Sequence, residues 1–75
     1  MARYFFDVRL DAGGWETDLI GTKVDTLEVA QEAAERELAD LDRSEFPGSL
    51  AITIRIRSAC GTEVAMLTRR WAYSG

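Results

Sequence analysis

Residues 50–70 read LAITIRIRSACGTEVAMLTRR, and their alternation decides the architecture. Ile52, Ile54 and Ile56 fall at every second position, with Ala51, Thr53, Arg55 and Arg57 on the other parity. Successive side chains of a strand point to opposite faces, so this period predicts a half-buried strand over about 50–57. Branched Ile and Thr side chains suit the pleated surface. Ala59-Cys60-Gly61-Thr62 reads as a hairpin turn, and residues from Glu63 to about Arg70 read as the returning strand. A sheet with one apolar face needs a second layer to cover it.

The preceding segment supplies that layer. Leu27, Ala30, Ala34, Leu38 and Leu41 recur at helical spacing and predict a helix over about 26–44. Asp25-Thr26-Leu27-Glu28 has the form of a capping box with Asp25 as the cap, and Val24 and Val29 take the positions of a hydrophobic staple. Pro47-Gly48 closes the segment, which should end near Ser44. Alanines at 30, 33 and 34 allow a close approach to a sheet.

At the N-terminus, RYFFDVRL over residues 3–10 alternates again. Tyr4, Phe6, Val8 and Leu10 share one face, and Arg3, Phe5, Asp7 and Arg9 share the other. Asp11-Ala12-Gly13-Gly14 predicts a turn into an antiparallel strand over about 15–20, with Gly21 marking a bend. The expectation is one domain over residues 1–75. It is α+β, a two-layer ββαββ unit with a four-stranded, mainly antiparallel sheet and one helix packed on one face.

Composition narrows the chemistry. Cys60 is the one cysteine and histidine is absent, so no internal disulfide, zinc site or Ser-His or Cys-His pair can be built within the chain. Gly13-Gly14 lacks the following Gly-Lys-Ser/Thr of a phosphate loop. No catalytic residue, metal or cofactor is expected. Asp7, Asp11 and Asp18 invite a carboxylate cluster at one end of the first hairpin, but turn chemistry accounts for them more simply. Cys60 reads as an ordinary turn residue, because neither a cation nor a helix N-terminus lies within sequence reach. No apolar run approaches the roughly 20 residues that cross a bilayer. With the single thiol and no secretory pattern at Met1-Ala2-Arg3-Tyr4, a cytoplasmic location without membrane contact is expected.

Two resemblances follow from these residues. Arg3-Tyr4-Phe5-Phe6-Asp7-Val8-Arg9, the Asp18-Leu19-Ile20-Gly21 element, Asp25 before an alanine-rich helix, and the final hairpin over Ile52 to Leu67 resemble a family of short bacterial proteins. That family is catalogued as a domain of unknown function, so the resemblance implies a fold and no activity. Cys60 stands where its members tend to carry Asp or Asn before the turn glycine. The N-terminal half is also similar to HicB-type antitoxins, although Thr17-Asp18-Leu19-Ile20-Gly21-Thr22 lacks their prolines.

Charge is uneven. Residues 26–49 hold two basic groups against seven acidic ones, and residues 50–75 hold four against one, within a net charge of −4. If the isoleucines face the helix, parity turns Arg3, Phe5, Asp7, Arg9, Arg55 and Arg57 outward, and Leu67, Arg69, Trp71 and Tyr73 are expected beside them. Trp, Tyr, Phe and Arg are the residues enriched at protein interfaces. The expected function is therefore a non-enzymatic protein-interaction module with a protein partner, most simply a second copy, on the outer sheet face. The alternative is a nucleic-acid-binding or antitoxin-like regulatory module that uses Arg3, Arg9, Arg55, Arg57 and Arg69.

Overall fold

The alternating stretches do form strands. A computed structural model describes residues 1–41, 44, 46 and 48–71 of the 75. Strands β1 (Ala2–Leu10) and β2 (Thr22–Val24) precede helix α1 (Leu27–Asp40), and β3 (Ala51–Ser58) and β4 (Glu63–Arg70) follow it. The four strands make one sheet in the order β2-β1-β3-β4, antiparallel throughout. This is the expected small α+β domain, with long β1 and β3 side by side at its centre. Among the described residues no helix is long and apolar enough to cross a membrane.

One face of the sheet carries the core. Ile52, Ile54 and Ile56 are buried and cluster with Ala34 and Leu38 of α1, flanked by Tyr4, Phe6, Val8, Ala65 and Leu67. Each fully buried isoleucine contributes roughly 1.5–3 kcal/mol. Ala30 is also fully buried, as the alanine run requires for close helix–sheet contact.

The second strand differs from its expected span. Residues 15–20 make a single bridge, Glu16 with Val8, rather than a strand. Asp18 is the reason. Its Oδ1 accepts from the Ile20 and Gly21 amides, each at 3.0 Å, and folds the chain into a side-chain-stabilised turn. Gly21 then adopts φ +76°, and pairing with β1 resumes only at Thr22.

The helix differs at both ends. Thr26, not Asp25, is the cap: its backbone is extended and its Oγ1 accepts from the Val29 amide at 3.2 Å. Glu28 therefore stands one position too early to close a reciprocal box. The helix stops at Asp40, where Leu41 turns extended with ψ 135°. Arg69 holds that end, donating from Nη1 to the carbonyls of Leu38, Ala39 and Leu41. A cation there satisfies orphan carbonyls and complements the helix dipole. Asp42, Arg43, Glu45 and Pro47 lie outside the described residues, as does Tyr73.

Leu67, Arg69 and Trp71 correct the expected outer face. The register places Leu67 opposite Ile54 and Arg69 opposite Ile52, which puts both on the helix side. Leu67 and Trp71 pack against the core, and Trp71 stacks with Phe46 at 6.2 Å between ring centroids. A register shift beside Ile56/Arg57, where Arg57 is opposite Glu63 and Ile56 opposite Ala65, displaces the parity that a regular hairpin would give.

Candidate functional site

The outer face is assembled from β1 and β3. The register sets Phe5 opposite Arg57, Asp7 opposite Arg55 and Arg9 opposite Thr53, all on the side away from α1. Of the residues expected there, Arg3, Phe5, Asp7, Arg9, Arg55 and Arg57 are brought together.

Asp7 organises this face. It is fully buried, and both carboxylate oxygens are taken. Oδ2 accepts from Arg55 Nε at 3.0 Å and from Arg57 Nε, while Oδ1 accepts from Arg57 Nη2 at 3.0 Å and from the Asp18 amide at 2.9 Å. Arg55 Nη2 adds an ion-pair contact at 2.8 Å. Burial by itself raises a carboxyl pKa, but the hydrogen bonds from Arg57, the Asp18 amide and Arg55 outweigh it and hold Asp7 at about 2. The same pairing raises the Arg57 pKa.

The β1–β2 connection closes one half of the face. Asp18 Oδ2 accepts from the Phe6 amide at 3.1 Å, and the Asp18 carbonyl accepts from Arg57 Nη2 at 3.2 Å. Burial would raise the Asp18 pKa, but the Gly21, Phe6 and Ile20 amides lower it further than burial lifts it. Trp15 spreads its ring under two cations, with the guanidinium carbons of Arg9 and Arg55 at 4.6 and 4.2 Å from its centroid. Arg57 lies 5.2 Å from the Phe5 ring centre. A side chain at Gly21 would meet Arg3 Cγ at 2.9 Å and the Phe5 ring at 3.0 Å, so the loop can press onto β1 only with glycine there. Arg3 donates to the Ile20 carbonyl at 2.6 Å and ties the loop down.

The arginines therefore neutralise, stack on or anchor this chain's own groups. Trp15 had no assigned role in the sequence, and no local pattern announces its position over Arg9 and Arg55. What stays open lies elsewhere. Leu19 and Ile20 project from the loop at 86% and 78% exposure. Across the sheet, Val64 and Met66 of β4 are exposed beside the Thr53–Thr68 hydroxyl pair, whose oxygens are 3.0 Å apart.

The three aspartates do not converge as one cluster. Asp7 and Asp18 meet, and each accepts several hydrogen bonds. Asp11 stands apart at φ +51°, its Oδ1 accepting from the Leu50 and Ala51 amides at 2.9 and 3.0 Å to fix the start of β3. A cleft of about 260 Å³ between α1 and the sheet is lined by Phe6, Ala33, Ala34 and Ile54, with Asp18, Thr22 and Glu37 at its polar side. Cys60 is exposed in the β3–β4 turn, with Sγ 3.0 Å from Ser58 Oγ and 3.3 Å from Thr62 Oγ1. The Ser58 hydroxyl first, then Thr62, lowers the thiol pKa from 9.0 to about 7, which the lack of a nearby cation in sequence did not suggest.

A family model described as Domain of unknown function (DUF6894) matches residues 3–68. No curated protein and no solved structure matches the chain.

Proposed function

The chain belongs to the DUF6894 family, and from that footing we propose that it is a non-enzymatic protein-interaction module whose partner, most simply a second copy of itself, is engaged through the sheet. The carrying observation is how the outer-face cations are used. Arg55 and Arg57 neutralise buried Asp7, Arg9 stacks on Trp15, and Arg3 is bound to a loop carbonyl. The two arginines at the centre of the face, Arg55 and Arg57, are each turned onto Asp7 by two nitrogens, whereas exposed Leu19, Ile20, Val64 and Met66 on a rigid frame suit protein contact. Asp7 and Asp18 are both held ionised by their donors, with pKa values below the ordinary carboxyl value, which makes them poor proton acceptors. A cytoplasmic setting, in which exposed Cys60 stays reduced, fits this reading.

The test is affinity capture of the tagged chain from native lysate that also contains an untagged copy, with and without nuclease. Capture of a protein, the untagged copy included, that survives both nuclease and high salt is the expected result. Capture that disappears with nuclease, or binding to mixed oligonucleotides that falls steeply with salt, overturns the reading in favour of nucleic acid.

A further inference from the structure

The two edges of the sheet are treated differently. On one side β2 is only three residues long, and the remaining edge of β1 is covered. Glu16 exchanges backbone bonds with Val8 at 2.7 and 3.0 Å, and Asp18 accepts from the Phe6 amide. On the other side β4 ends the strand order and runs for eight residues. The Trp71 amide donates to the Leu50 carbonyl at 3.0 Å. The alternation of an antiparallel ladder then directs the amides of Arg69, Leu67 and Ala65 at β3, and those of Arg70, Thr68 and Met66 at the outer edge, which no other described strand covers.

Natural edges are usually blunted by proline, by central charge or by a cover. From Val64 to Thr68 the sequence is VAMLT, with neither proline nor charge. Charge appears only at the ends, with Glu63 before this run and Arg69-Arg70 after it. A strand built this way is complementary to itself in one orientation. Antiparallel self-pairing sets Glu63 of each copy beside the Arg69-Arg70 end of the other. Parallel pairing sets like charge against like.

We propose that the open edge of β4 pairs antiparallel with β4 of a second copy, fusing two sheets into one of eight strands. The proposal rests on the interaction-module reading and names its surface and partner. A two-fold axis normal to the sheet relates the copies, so both helices stay on one face and each edge meets its own equivalent. The pairing satisfies the outward amides of Met66, Thr68 and Arg70. On the outer face it lays Met66, 48% exposed in the single chain, against Met66 of the second copy, and Val64, 36% exposed, across from that copy's Thr68. A core with only six buried apolar residues among those described is the kind of small scaffold that gains from such an extension.

The experiment is light scattering of the purified chain across concentrations, with circular dichroism as the check on folding. The wild-type chain is expected to reach twice its 8.4 kDa mass as concentration rises. Met66→Pro removes an outward amide and no bond to β3, so it should stay at monomer mass with an unchanged spectrum. Glu63→Lys alone and Arg70→Glu alone should each weaken association several-fold. Mixing these two variants should restore it, because the two new charges then meet each other at one end of the pair and the native Glu63 and Arg70 meet at the other. A wild-type chain that stays monomeric at every concentration overturns the proposal, as does a folded Met66→Pro dimer. If Met66→Pro does not fold, the mixing experiment decides: failure to restore overturns it. A monomeric wild-type chain that still captures a nuclease-resistant partner rejects the β4 pairing and leaves the interaction-module reading standing.

Discussion

The Trp15 ring centre lies 4.2 Å from the guanidinium carbon of Arg55, and that same arginine is ion-paired with buried Asp7. The indole therefore covers a cation that shares one carboxylate with Arg57, so its positive charge is only partly offset from the other side. Replacing Trp15 with Ala should destabilise the fold by roughly 1–3 kcal/mol, through lost cation–π contact and lost cover. Trp15→Leu should recover the part that comes from cover alone. Urea midpoints of the three proteins separate the two contributions. Equal midpoints for wild type and Trp15→Ala would show that the loop does not lean on this ring.

Asp7 makes the fold acid-sensitive in a defined window. Its folded pKa of about 2 lies below the ordinary value of 3.8, so the unfolded chain binds the proton more readily. The stabilisation is complete above about pH 4 and drains away as pH falls through 2, amounting to on the order of 2 kcal/mol. Thermal melts between pH 5 and about pH 2 should record that loss, while Asp7→Asn should flatten this part of the profile. That variant also leaves two partly buried guanidiniums unpaired and should cost about 3–5 kcal/mol at neutral pH.

Thr26 and Asp25 make a controlled pair at the start of α1. Thr26→Ala removes the acceptor for the Val29 amide and should lower stability by about 1 kcal/mol. Asp25→Ala touches an exposed residue outside the cap and should change stability by less than about 0.5 kcal/mol. Chemical denaturation of both variants checks the order. A larger loss at Asp25 would return the cap to that residue.

Cys60 should react as an activated thiol. Its alkylation rate is expected to rise with a midpoint near pH 7, the value set by the Ser58 and Thr62 hydroxyls. Ser58→Ala removes the largest lowering influence and should move the midpoint toward 9. Iodoacetamide kinetics against pH read this directly. A wild-type midpoint near 9 would show that the hydroxyls do not act on the sulfur.

The sequence was most legible where a period repeats. Ile52, Ile54 and Ile56 disclosed the core face, and Ala30, Ala34 and Leu38 disclosed the helix stripe that covers it. Parity also placed Asp7 among the arginines. Single-residue irregularities were less legible. A turn built by the Asp18 side chain moved the second strand to Thr22, and Thr26 rather than Asp25 took the extended backbone of a cap. The shift beside Arg57 sent Leu67 and Arg69 to the helix side, where Arg69 found the end of α1. Each of these depends on where one hydrogen bond closes, and propensity does not resolve that. Trp15 over Arg55 was beyond reach, because it joins residues from the β1–β2 loop and β3.

The central β1–β3 pairing also governs what a ribosome releases. Asp7 draws its arginine donors from 48 and 50 positions downstream, so β1 has no long partner until β3 has been made. Contacts that distant slow folding and leave early segments waiting in water. During that interval the nascent strand YFFDVRL exposes aromatic and branched residues that favour β-aggregation. An ionised, hydrated Asp7 in the middle of it acts as a gatekeeper against stacking with neighbouring nascent chains. The same carboxylate thus serves twice, first as a solubilising charge during synthesis and then, once β3 arrives, as the buried anchor for two arginines.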